Sequence, residues 1–213
     1  MDSIIIDKLL KGNQEFIKEA LEKDSNFFKK LANIQNPEYL WIGCSDSRIP
    51  ADKITNQMPG TIFVHRNIAN QINPIDFNVL SVIYFSLFTL GIQNIIICGH
   101  YNCGGINASI LLAENKRSYG FLDNWLLPIK ELYLTLKEKK IEFRNFDVQD
   151  FDKISKALSE INVLKQMEVF ENLTIVQQYL RESKKKLNLI GMIYDVKDGK
   201  LNLLQIKEIK NEI

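Results

Sequence analysis

Cys44-Ser45-Asp46-Ser47-Arg48 and, 56 residues after Cys44, His100-Tyr101-Asn102-Cys103 are the segments of this 213-residue chain whose side chains could act together as a chemical centre. Cys44, Asp46, His100 and Cys103 offer two thiolates, a carboxylate and an imidazole, a full tetrahedral donor set for one Zn²⁺ per chain. Arg48 stands two residues after Asp46 and can compete for its carboxylate. A ligand that can be drawn off the metal leaves an open position for water, and that separates a catalytic zinc from a structural one. Zinc lowers the pKa of bound water from about 15.7 towards 7, so hydroxide is available near neutral pH. Two thiolates donate more charge than three imidazoles, so a somewhat higher value is expected here. With Asp46 paired to Arg48, its carboxylate can accept a hydrogen bond from that hydroxide and orient it.

Other zinc chemistries fit less well. No Cys-x-x-Cys pair is present, which disfavours fingers and ribbons. The deaminase signature of His-x-Glu with Pro-Cys-x-x-Cys is absent, as is the metalloprotease His-Glu-x-x-His. A nucleophilic pair of Cys103 with His100 stays open, but it leaves Cys44 and the Asp46–Arg48 pair without a role. Cys98, inside Ile-Ile-Ile-Cys, reads as core, because an unpaired cysteine is among the most buried residue types.

The elements that must position these groups follow from hydrophobic period. Leu9, Leu10, Phe16, Ile17, Ala20 and Leu21 recur at helical spacing, with Phe27, Phe28 and Leu31 on a second face, until Asn36-Pro37 breaks the pattern. Buried strands are expected over 39–43, 61–65 and 94–98, the second introduced by a Pro59-Gly60 turn. An apolar helix over 75–90 is stopped by Gly91, and helices follow over about 106–116 and 120–140. Ile154, Leu158, Ile161, Leu164 and Met167, then Leu173, Val176 and Leu180, mark one long amphipathic helical region. Strands over 187–196 and 201–206 close the chain around an Asp198-Gly199 turn. Apolar strands alternating with helices imply an α/β fold with a mostly parallel sheet of four to five strands covered by helices. Both donor segments then fall just past the carboxyl ends of strands, the edge where open α/β sheets bind ligands.

Composition narrows the function classes. The length suits a single domain spanning 1–213, with 1–35 as an N-terminal helical arm. Lys plus Arg (27) nearly cancels Asp plus Glu (26), so no global field recruits nucleic acid or an anionic membrane. The basic runs at Lys137–Lys140 and Lys184–Lys186 read as solvated faces. The most apolar stretch, 79–92, is short and interrupted by Ser81, Ser86 and Thr89, a buried helix and not a membrane span. Three cysteines without a recognisable signal segment argue against a disulfide framework and for a cytoplasmic protein with reduced thiols.

Cys44-Ser-Asp-Ser-Arg48, His65-Arg-Asn-Ile-Ala-Asn70 and Gly99-His-Tyr-Asn-Cys-Gly-Gly105 closely resemble the three signature segments of the β-class carbonic anhydrases. Asn124-Trp-Leu-Leu-Pro-Ile129, Asn162-Val-Leu-Lys-Gln166 and Gly191-Met-Ile-Tyr-Asp-Val196 agree as well, so the resemblance runs from about Leu9 to Leu204. It implies zinc on Cys44, Asp46, His100 and Cys103, an Asp46–Arg48 catalytic dyad, and reversible hydration of CO₂ to bicarbonate and a proton. It implies a dimer-based oligomer, a dimer or a tetramer, with N-terminal helices embracing the partner. Gln35 and Phe63 match substrate-pocket positions, and Phe85 stands where the family often has tyrosine, which removes a hydroxyl from the pocket. Trp41, Arg66 and Tyr194 match the trio with which one branch of the family binds bicarbonate at a non-catalytic site. A guanidinium, an indole N–H and a phenol O–H suit that anion. The resemblance further implies inhibition by bicarbonate, with little activity near neutral pH and a steep rise above about pH 8. Two alternatives share the fold: a CS₂ or carbonyl sulfide hydrolase, and a non-catalytic bicarbonate-binding regulator with a permanently closed zinc.

Overall fold

The computed structural model describes residues 3–139 and 150–211. Two compact units divide at Asn36/Pro37. The first carries helices α1 (Ser3–Lys23) and α2 (Phe27–Asn33). Between them Asp24 accepts hydrogen bonds from the Asn26 N–H (2.9 Å) and the Lys30 ammonium (2.7 Å), which fixes the turn. Phe16 meets Phe28 edge-on at 6.0 Å, so the two helices share an aromatic contact. Ile5, Ile6, Leu9 and Leu10, an i, i+4 stripe on α1, remain exposed.

The second unit is the α/β fold expected. Its strands are β1 (Tyr39–Cys44), β2 (Ile62–Asn67), β3 (Asn94–His100), β4 (Leu187–Tyr194) and β5 (Leu201–Ile209). They form one sheet in the order β2-β1-β3-β4-β5, parallel except for the last pair. The helices are α3 (Ala51–Ile54), α4 (Phe77–Tyr84), α5 (Gly104–Ala113), α6 (Leu122–Lys139), α7 (Phe151–Asn172) and α8 (Thr174–Ser183). From β1 the chain crosses to β2 on one side and later to β3 on the other. The reversal opens a crevice between the ends of β1 and β3.

Strand alternation sorts the core into two faces. Leu40, Ile42, Ile95, Ile97, Leu189 and Ile193 point to one side and pack with Ile83 of α4, Val163 and Phe170 of α7 and Leu180 of α8. Full burial of each such side chain is worth about 1.5–3 kcal/mol. Trp41, Ile96 and Cys98 point to the other, against Ala51 and Ile54 of α3.

Three expectations needed correction. The helix over 75–90 is α4 followed by a single π turn, Phe85–Thr89, in which the Leu90 N–H reaches the Phe85 carbonyl at 3.0 Å. An inserted residue of this kind leaves no trace in hydrophobic spacing. The long helical region breaks at Leu173, which is extended (φ −62°, ψ 133°) and separates α7 from α8. On α7, Leu164 is exposed while Asn162 and Gln166 are buried, so the inward face is partly polar. The helix expected over 120–140 is α6, and Lys140, like Met1 and Asp2, lies outside the described residues.

Close packing fixes one glycine of α5. A Cβ on Gly105 would stand 2.9 Å from both Ala69 Cβ and Ile68 Cγ2. Gly105→Ala is therefore expected to destabilise the protein by about 1–3 kcal/mol, because the added methyl must push α5 off its neighbour. Urea denaturation read by circular dichroism measures it, and an unchanged midpoint would mean that the contact relaxes freely.

Candidate metal centre

Register carries the donor residues to one edge. Cys44 ends β1 opposite Asn67, His100 ends β3 opposite Tyr194, and Cys103 precedes the first turn of α5. Their three donor atoms lie within 4.8 Å of one another, and all three residues are buried. Cys44 Sγ and Cys103 Sγ are 3.9 Å apart. Two sulfurs at about 2.3 Å from a tetrahedral zinc would stand about 3.8 Å apart, whereas a disulfide needs about 2.05 Å. His100 Nδ1 lies 3.0 Å from the Tyr101 carbonyl, where an N–H on Nδ1 can donate. That leaves Nε2 as a bare lone pair, and Nε2 is one of the few buried polar side-chain atoms without a partner among the described residues. A metal satisfies it. The donor set therefore fits zinc.

The electrostatics of the thiols agree. The Cys44 thiol is drawn down, first because Cys103 donates its S–H to the Cys44 sulfur. The peptide N–H groups of Asp46 and Ala69 add to the effect, against burial. Cys103 is pushed up by the same sulfur and by burial. The pair thus holds one negative charge ready, and a cation releases the second proton. Cys98 is buried beside Trp41 and Ile96, and burial pushes its thiol up, away from any ligand role.

Asp46 stands beside the three donors and not among them. Its Oδ1 accepts from Arg48 N (3.0 Å) and Nε (2.9 Å), and its Oδ2 from Arg48 Nη2 (2.6 Å). The Arg48 guanidinium holds the Asp46 carboxyl far below the usual carboxylate range. Oδ2 nonetheless lies only 3.9 Å from His100 Nε2. The carboxylate is parked at the edge of the donor cluster, within a small side-chain motion of it.

The residues matched to a substrate pocket lie elsewhere in the chain. Phe63 pairs with Leu40, four residues before the Asn67–Cys44 level, which is about 13 Å back along the strands. Phe85, the first residue of the π turn, is 42% exposed and packs on Phe63 with ring centroids 5.9 Å apart. Gln35 belongs to the N-terminal unit and is exposed. The structure joins Phe63 to Phe85 and does not bring them to the thiols of the same chain.

Of the remaining trio, Trp41 and Tyr194 share one apolar cluster. The Trp41 indole lies over Gly43, with Nε1 2.5 Å from where a Cβ would stand. Arg66, opposite Gly43 on β2, donates from Nε to the Cys44 carbonyl at 2.8 Å and from Nη2 to the Asp46 carbonyl. These bonds tie the guanidinium to the backbone of the donor loop, which the Arg66 position alone does not disclose.

The surroundings of Cys44 hold residues that sequence reasoning left without a role. Asn162 donates to the Ala69 carbonyl (3.1 Å), and Gln166 donates to Asn162 Oδ1 (3.0 Å). The available signal was the Asn162-x-x-x-Gln166 spacing, which puts two amides on one face of a helix.

A family profile described as "Carbonic anhydrase" matches residues 39–201. A carbonic anhydrase of Emericella nidulans is 38% identical over 94% of this chain and 83% of its own length. One of Candida albicans is 36% identical over 93% of this chain and 68% of its own. Among solved structures, one of the tetrameric β-carbonic anhydrases of Sordaria macrospora superposes with a TM-score of 0.85 at 32% identity, covering 96% of this chain and all of that one. The Coccomyxa β-carbonic anhydrase in complex with acetazolamide gives 0.82 at 31% identity, over 95% and 87% of the two chains. With the crevice, the Cys-His-Cys group and these likenesses together, the chain belongs to the β-class carbonic anhydrases. It is accordingly an enzyme of reversible CO₂ hydration.

Proposed function

We propose that Cys44, His100 and Cys103 hold zinc and that Asp46 and Arg48 form a gate on its fourth position. The observation that carries this is the Asp46 carboxylate, bonded through both oxygens to Arg48 yet 3.9 Å from His100 Nε2. When bound, zinc supplies a water nucleophile at near-neutral pH by lowering that water's pKa. The protein's own groups do the rest. Arg48 keeps Asp46 ionised and turned aside. A lone pair of that carboxylate accepts a hydrogen bond from the attacking oxygen and aims it at the carbon of CO₂. His100, oriented by the Tyr101 carbonyl, keeps its lone pair inward. A regulator with a permanently closed site has no use for an aspartate held off by arginine. A CS₂ or carbonyl sulfide hydrolase would be told apart by turning over those substrates faster than CO₂.

The working unit is a homo-oligomer built from dimers, with 1–213 acting as one domain and residues 1–35 as the arm. The exposed apolar stripe of α1 supports it. So does the separation of Phe63 and Phe85 from the donor atoms of their own chain, since a second copy would bring such side chains to the pocket. No described helix is long and apolar enough to cross a membrane, which is consistent with work in the cytoplasm.

Trp41, Arg66 and Tyr194 form a bicarbonate site that closes the gate. An anion that draws the Arg66 guanidinium off the Cys44 and Asp46 carbonyls frees the loop that carries Asp46. Stopped-flow CO₂ hydration as a function of pH and bicarbonate tests both proposals. Wild type is expected to be weak near neutral pH, to rise steeply above about pH 8 and to be inhibited by bicarbonate. Trp41→Phe, which loses the indole N–H, is expected to lose the inhibition and shift the rise to lower pH. A shallow single-proton profile without a bicarbonate effect would leave the trio as packing, and no hydration at any pH would remove the enzymatic proposal.

A further inference from the structure

Ala69 and Asn70 are consecutive non-glycine residues in the left-handed region (φ 62° and 46°), and both are buried. For an alanine this conformation is strained, so the surroundings must enforce it. They do so from two sides. Gly105 brings α5 against the Ala69 methyl, and α7 reaches the Ala69 carbonyl through Asn162. Asn162 is 1% exposed and is itself held by Gln166, whose other amide atom accepts from the Ile72 N–H at 2.7 Å. Trp125 of α6 adds a bond to the Ile68 carbonyl at 2.8 Å.

Two buried amides are a costly way to pack one helix face, since each polar group must find a partner or stay unsatisfied. Apolar side chains of the same size would fill the space. What the amides add is direction. Their bonds fix the Ala69 carbonyl, and Ala69 belongs to the same packed cluster as Cys44 and Cys103.

We propose that Asn162, braced by Gln166, is a positioning residue that fixes the left-handed Ala69 peptide against the Cys44 sulfur and so sets how tightly the Cys44–His100–Cys103 group holds its metal. The inference rests on the reading of that group as a zinc site. It assigns a role in metal retention to an Asn-x-x-x-Gln pair far along the chain, which touches neither donor atom nor substrate.

The test uses the full chain and two readouts besides turnover. Zinc affinity is measured by chelator competition, and the thiolate-to-cobalt charge-transfer band is recorded on the Co²⁺-substituted protein. Asn162→Ala is expected to weaken zinc binding about 10–100-fold and to shift the band, because the Ala69 backbone packed beside Cys44 is no longer held. Gln166→Met, which leaves Asn162 in place but unbraced, should move both readouts in the same direction by less, and it decides the matter if Asn162→Ala does not fold. Ser159→Ala is the control. Its hydroxyl is buried on the same helix but, among the described residues, bonds only to the Ser155 carbonyl (2.7 Å), so it should leave affinity and band unchanged. Wild-type affinity and an unshifted band in the folded variants would overturn the proposal and leave the amides as packing. Failure of the wild-type protein itself to bind zinc would instead overturn the reading on which it rests.

Discussion

Arg48→Ala is expected to lose about 10²–10³-fold in CO₂ hydration while keeping a full equivalent of zinc. The guanidinium makes two of the three hydrogen bonds that hold Asp46 aside, and only the Arg48 peptide N–H survives its removal. The carboxylate is then an unpaired anion 3.9 Å from His100 Nε2, next to a site built to hold a dication. It has every reason to become the fourth ligand, and water is shut out. The three donors themselves do not involve Arg48, so metal content should not fall. Arg48→Lys should recover activity only in part, because an ammonium cannot span both carboxylate oxygens. Stopped-flow rates beside metal analysis decide it. Near-normal turnover at pH 8 to 9 in Arg48→Ala would show that nothing needs to restrain Asp46.

The second large effect is that of Cys103→Ala, in which zinc should fall well below one equivalent and hydration to the buffer background. Cys103 is 1% exposed and sits at the start of α5, where the peptide N–H groups of Gly105 and Ile106 favour its thiolate. No other described residue can take its place, since Cys98 is buried among Trp41, Ala51 and Ile96, where burial pushes its thiol up. The thiol is small and its helix is packed along Ile106 and Ile110, so the fold should persist without the metal. Far-ultraviolet circular dichroism separates loss of metal from loss of fold. Unchanged zinc in a folded Cys103→Ala would mean that the metal, if any, lies elsewhere.

The sheet and the donor set were legible because each leaves a local mark. Ile95-Ile96-Ile97 could only be a strand buried on both faces, and it delivers His100 to the sheet edge whatever follows. The crevice follows from strand order, which hydrophobic runs alone do not give. What stayed hidden depends on contacts distant in sequence. The polar face of α7 looks like the solvent side of an amphipathic helix until Ala69 is seen against it, and Leu164 looks like core until it is seen exposed. The π turn at Phe85 shifts the face that follows by one residue, a slip too small for periodicity to register. In the sequence Arg66 reads as a free cation for an anion, and only the fold shows it spent on two carbonyls.

The indole over Gly43 has an evolutionary consequence. A side chain at position 43 and a tryptophan at 41 exclude each other, because any β-carbon there would overlap Trp41 Nε1. Lineages that keep the indole must keep the glycine, while those that lose the indole are released from it. Across related sequences the two positions should therefore vary as a couple. A substituted 43 beside a retained tryptophan should be the combination that descent avoids.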